Sequence, residues 1–204
     1  MMEDNNSQEI FFEKAINMHQ SGKFDIALKM YKQLLIMNPN IAAIHNNIGL
    51  IYLENNQKKL ALENFLNAIN LDSNFVEAHN NIGLLYENLG EYKKAILHCQ
   101  KAIELNPKFA KAFNNLGSSF DEIGEKNKAI ENYKKSIELD SNLIEPYNNL
   151  GSLYRYLGKY EESINYYKKG IKINENYSKI RKNLGLVFLI LSKFEKGFDE
   201  FEWR

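Results

Sequence analysis

The 204-residue chain carries 26 basic and 26 acidic side chains and no formal net charge, so it lacks the basic bias with which proteins neutralise phosphate backbones, and nucleic acid is excluded as an expected partner. Its longest apolar run, residues 184–191, falls far short of the ~20 residues of a membrane helix, and the polar, acidic stretch 1–7 lacks the basic and apolar regions of a secretory signal. A cytoplasmic protein without membrane insertion is therefore expected, and its single cysteine, Cys99, can form no internal disulfide.

In chain order, residues 1–7 read as a disordered tail and everything after them as one repeated unit. Gly49, Gly83, Gly117, Gly151 and Gly185 lie 34 residues apart, each preceded by Asn-Ile or Asn-Leu. Twelve residues beyond the first four glycines stand Ala61, Ala95, Ala129 and Ser163, and four further on Phe65, Cys99, Tyr133 and Tyr167. A divergent first unit has Ala15 for the glycine but keeps Gly22, Phe24, Ala27, Tyr31 and Asn38-Pro39 in register. Self-similarity at a fixed period marks a stacked repeat architecture.

Within one period the spacing predicts two helices. Ala78, Ile82, Leu85, Tyr86 and Leu89 recur at three- and four-residue intervals, as on one helical face, and Gly90 ends that helix. Gly22, Gly124, Gly158 and Asn56 take the same place in their units. Ala95, Ile96, Cys99, Ala102, Ile103 and Leu105 form the second face, stopped at Asn106-Pro107 because proline cannot continue a helix. A mid-helix glycine costs roughly 0.5–1 kcal/mol relative to alanine, so five of them in register predict a close helix approach. Cys99 stands where other units place an aromatic ring and reads as buried packing.

These motifs are similar to the tetratricopeptide repeat, a helix-turn-helix unit with the pattern W-x-x-L-G-x-x-Y, A-x-x-x-F and P. With the glycine as position 8, the units are 8–41, 42–75, 76–109, 110–143, 144–177 and a partial 178–204. The chain departs from the pattern in having no tryptophan at position 4, Ser73, Ser141 and Glu175 in place of proline, and Gly197 in place of alanine. The resemblance implies an all-α, right-handed α-solenoid of stacked antiparallel helix pairs with a concave and a convex surface. No metal-ligand spacing, phosphate-binding loop or nucleophile elbow occurs, so no enzyme activity, metal or cofactor is expected.

In this family positions 2, 5, 6, 9, 12 and 13 of the first helix line the concave groove, and function is expected there. Position 6 is Asn47, Asn81, Asn115, Asn149 and Asn183, and position 5 is Asn46, Asn80, Asn114 and Asn148. Asparagine makes up 28 of 204 residues, but compositional drift predicts scatter rather than a full row. Each amide offers donors and an acceptor, and the row resembles the asparagine ladder of the O-GlcNAc transferase superhelix, where position 6 contacts bound polypeptide. The alternative is a hydrogen bond between adjacent helices that only stiffens the solenoid.

Position 9 is apolar in Ile16, Leu50, Leu84 and Leu186 and polar in Ser118 and Ser152. Glu54, Glu77, Glu87, Asp121 and Glu122 predict a negative field over repeats two to four, with Arg155, Lys179, Arg181 and Lys182 making the C-terminal end positive. The chaperone-tail clamps of the family need cations that Phe12, Ile16, Asn47, Glu77 and Asn81 do not provide, so that activity is not expected. Two readings follow. One is a scaffold binding a protein or peptide in the groove. The other is the substrate-recognition part of a glycosyltransferase, since residues 194–204 are similar to the last repeat of bacterial proteins that run on into such a domain. Phe188, Leu191, Phe198, Phe201 and Trp203 have no following helix to cover them, and self-association through that edge is expected.

Overall fold

A computed structural model of the protein describes residues 2–202, with side chains from residue 8 onward. Twelve helices are present among them: α1 (Met2–Gln20), α2 (Phe24–Met37), α3 (Ala42–Glu54), α4 (Lys58–Leu71), α5 (Val76–Asn88), α6 (Tyr92–Leu105), α7 (Ala110–Glu122), α8 (Lys126–Leu139), α9 (Glu145–Tyr156), α10 (Tyr160–Ile173), α11 (Ser178–Ile190) and α12 (Phe194–Glu202). The fold is all-α, and α1, α3, α7, α9 and α11 each pair with the helix that follows, as in an α-solenoid. Two compact units divide the chain, one ending at Leu85 and the other beginning at Tyr86. The tail expected over residues 1–7 is replaced, from Met2, by the first turns of α1.

The turn inside each helix pair follows from one backbone conformation. Gly22, Asn56, Gly90, Gly124, Gly158 and Ser192 all have positive φ, between 56° and 84°. The residue after each donates its N–H to a carbonyl five residues back, as in Glu125 N to Phe120 O at 2.9 Å and Lys193 N to Phe188 O at 2.8 Å. This is the left-handed helix ending that glycine adopts without penalty. Ser192, which the sequence reading did not single out, holds the same geometry with a side chain that disfavours it. Ser192→Gly is therefore expected to stabilise the α11–α12 pair by roughly 0.5–1 kcal/mol, the left-handed penalty less the entropy of glycine. Slower amide exchange in α12 is the readout.

Turns between pairs use a different device. Asn38, Asp72, Asn106, Asp140 and Asn174 each accept, at Oδ1, the N–H two residues on, at 2.9–3.2 Å. Such a side-chain turn works with or without proline in the loop, which explains why Ser73, Ser141 and Glu175 are tolerated. A second contact braces the same loops from the following helix. The position-4 side chains of His79, Tyr147 and Arg181 bond to the carbonyls of Ser73, Ser141 and Glu175 at 2.9–3.1 Å, and His45 reaches Pro39 O at 3.4 Å.

Packing within a pair centres on position 8. A Cβ on Gly117 would lie 2.8 Å from Tyr133 Cδ1, one on Gly49 2.5 Å from Phe65 Cε1, and one on Gly151 2.6 Å from Tyr167 Cε1. The ring at position 24 thus lies against the glycine, and Tyr31, Phe65, Tyr133 and Tyr167 are all buried. Cys99 fills that position in its repeat as a buried free thiol, its pKa pushed up to about 12 first by burial and then by the charge of Glu87. In the first unit the core runs from Ala15 and Tyr31 to Ile44, Ile48 and Ile51. In the second, Tyr133, Leu150 and Tyr154 form one cluster, and Tyr147, Tyr167, Ile180 and Leu184 another.

The C-terminal edge is more covered than its sequence suggests. Phe188 is buried in the cluster that Tyr147 and Ile180 share, and Leu191 packs half-buried against the same cluster. Phe198 and Phe201 are exposed, as is Phe194, while Trp203 lies outside the described residues.

Candidate functional site

The first helices carry the two asparagine rows at different depths. At position 5, Asn46, Asn80, Asn114 and Asn148 are only 3–9 % exposed. Among position-6 residues, Asn47, Asn81, Asn149 and Asn183 are half-buried, and Asn115 is buried. Position 5 therefore belongs to the seam between successive first helices rather than to an open surface, the reverse of what a shared groove-lining face predicts. The reason is packing: α7 touches α9, and α9 touches α11, directly.

The seam is closed by amides. Asn81 donates to Asn46 Oδ1 at 2.9 Å in the first unit. In the second, Asn183 donates to Asn148 at 2.8 Å, Asn148 to Asn149 at 3.3 Å, Asn149 to Asn114 at 3.1 Å, and Asn114 to Asn115 at 3.3 Å. This is an unbroken relay in one donor direction, and neighbouring hydrogen bonds of that kind polarise one another. The first commitment of the asparagines is thus to hold helices together. Position 6 keeps spare capacity, because a primary amide has two hydrogens and its oxygen two lone pairs.

Positions 9 and 12 complete this face. Leu50 and Leu84 are half-buried and Leu186 exposed. Ser118 donates to Glu87 Oε1 at 2.6 Å, while Ser152 pairs with the Tyr167 hydroxyl at 3.0 Å. The sequence held a signal for these serines: serine occurs at position 9 in the two repeats where position 24 is tyrosine and position 8 glycine, whereas Leu50 and Leu84 accompany Phe65 and Cys99. The expected charge groups are not equally available. Asp121 is held by an ion pair with Lys126, and Arg181 by Glu200 at 3.0 Å. Glu122 accepts from the Tyr92 hydroxyl at 3.3 Å. Glu54, Glu77, Lys179 and Lys182 are exposed on the solvated surface. Glu87 and Arg155 are half-buried, and each has one buried polar atom without a partner, Oε2 and Nε respectively.

No group of three or more His, Cys, Asp or Glu is placed to hold a metal among the described residues. None of the helices is long and apolar enough to cross a membrane, among the described residues.

Comparison with known proteins agrees with this geometry. The tetratricopeptide repeat profile matches residues 76–109 and 144–177, the limits of the third and fifth units, and related repeat profiles match 49–90, 119–155 and 98–131. A crystal structure of MamA is 31% identical over 81% of this chain and 96% of that one, with a TM-score of 0.64. The chain belongs to the tetratricopeptide repeat family. PilF of Pseudomonas aeruginosa shares the fold at 18% identity and a TM-score of 0.82, covering 96% of this chain and 89% of PilF. A thermophilic TPR protein of Thermus thermophilus shares it at 19% identity and 0.76, covering 89% and 99%. No curated protein matches the chain in sequence. Tetratricopeptide repeats typically serve as protein-interaction scaffolds.

Proposed function

We propose that this repeat protein is a non-enzymatic scaffold that binds an extended polypeptide along the first-helix face. The observation that carries this reading is the position-6 row. Within the second unit, Asn149 and Asn183 each spend one amide hydrogen on the seam, and each has a second hydrogen to offer from a half-buried side chain. A regular row of such groups suits peptide backbone, which repeats a donor and an acceptor at every residue whatever its side chains. The seam bonds add to this fitness, because amides already fixed in orientation lose little freedom on binding. Leu186 offers apolar contact beside these amides.

Selection of a random peptide library displayed on phage tests the proposal. Peptides are expected to be recovered whose binding is lost in Leu186→Glu and kept in Leu97→Glu, the latter on α6 and 65 % exposed. Recovery of no peptide, or loss of binding on changing Leu97 alone, would overturn the assignment of the face.

A further inference from the structure

Two groups in the second unit are left with unmet bonding capacity of opposite sign. Glu87, at the end of α5, is oriented by a hydrogen bond. Ser118 has one hydroxyl hydrogen and gives it to Glu87 Oε1 at 2.6 Å, beside the buried Tyr133 ring. That arrangement fixes the carboxylate and leaves Oε2 buried without a partner. Burial holds the Glu87 carboxyl above the ordinary carboxylate range, against the Ser118 bond and with the help of Glu122, as expected of an acid lacking a cation. Arg155 occupies the same position 12 two repeats later and has its Nε buried without a partner. Between them, Asp121 is neutralised by Lys126, so the row has open charges only at its two ends. A half-buried charge without a counter-ion is costly, and a ligand charge placed at its open side offsets that cost on binding.

We propose that the second unit reads a charge register in its peptide, with Glu87 receiving a lysine or arginine side chain and Arg155 an aspartate or glutamate about six residues away along an extended strand. The spacing follows from helix packing: successive first helices lie on the order of 10 Å apart, and an extended chain advances ~3.3 Å per residue. The proposal rests on the peptide-binding reading above and adds what the asparagine row cannot supply, since backbone contacts do not distinguish one sequence from another.

Three fluorescent dodecapeptides of alanine and serine serve as probes for the full chain, measured by anisotropy. One carries Lys followed six residues later by Glu, the second carries Glu then Lys, and the third has neither. One of the two charged orders is expected to bind at least about tenfold more tightly than the other and than the neutral peptide. Glu87→Gln, which keeps an oxygen for Ser118, should remove the advantage of Lys, and Arg155→Gln that of Glu. The exchange Glu87→Arg with Arg155→Glu should make the reversed order the preferred one. Melting temperature checks that each variant is folded, and the single Gln variants decide the question if the exchange does not fold. Binding of all three peptides alike would overturn the charge register and leave the scaffold reading standing. Binding of none would overturn both.

Discussion

Replacing Gly117 with alanine is expected to lower stability by roughly 1–2 kcal/mol, an overpacking cost of about 2–3 kcal/mol less the about 1 kcal/mol by which alanine is the better helix former. The added Cβ would stand 2.8 Å from Tyr133 Cδ1 and 3.2 Å from the Ala129 carbonyl oxygen, so the two helices of the pair must separate or the ring must leave its position. Neither movement is easy, since Tyr133 is 2 % exposed. The decisive measurement is a double-mutant cycle with Tyr133→Ala, read by denaturant unfolding. Removing the ring makes room for the methyl group, so the double variant should be more stable, by ~1 kcal/mol or more, than the sum of the single losses predicts. Strict additivity would mean that glycine and ring do not meet and that the pairing of α7 with α8 is in another register.

The second large effect is expected at Asn148. Its amide accepts from Asn183 and donates to Asn149, and it is 3 % exposed. Asn148→Ala removes both bonds and strands a hydrogen of Asn183 and a lone pair of Asn149, a loss of roughly 2–4 kcal/mol at the usual cost of unpaired buried groups. Asn183→Ala, at the donor end of the relay, breaks one bond and should cost about 1 kcal/mol. Unfolding midpoints of the two variants give the comparison. Equal losses would show that the relay does not carry the load assigned to it.

The fold was legible because the same physical demand recurs every 34 residues. Gly49, Gly117 and Gly151 announce the close approach, and Gly22, Gly90, Gly124 and Gly158 the left-handed turn, since no other residue meets either need as cheaply. Ser192 escaped notice at the turn because composition there had drifted while the backbone had not. For the site, sequence located the first-helix face and its asparagines but not their depth. Positions 5 and 6 are adjacent in sequence, and only the packing of α9 between α7 and α11 decides that Asn148 turns inward while Asn149 reaches toward the open side. Charge was misjudged for a related reason. Counting acids predicts a negative field over repeats two to four, whereas bonding divides them into the satisfied Asp121 and the half-satisfied Glu87. Which charge finds a partner inside the protein depends on side-chain reach across repeats, and that is not written in any one repeat.

The amide relay also bears on how a chain of this kind changes length. Each bond that crosses between helices joins a position-6 asparagine to the position-5 asparagine 35 residues earlier, and so refers only to the repeat immediately before it. Excision of residues 144–177 would bring Asn183 to the same offset from Asn114 that it now has from Asn148, and the seam would close again with no compensating substitution. Duplication of that segment would extend it in the same way. Gene rearrangements in whole multiples of 34 codons are thus nearly silent at this seam, whereas a one-residue slip within a first helix turns a buried amide outward. Selection acting on such a protein can alter the number of modules more freely than the spacing inside one of them.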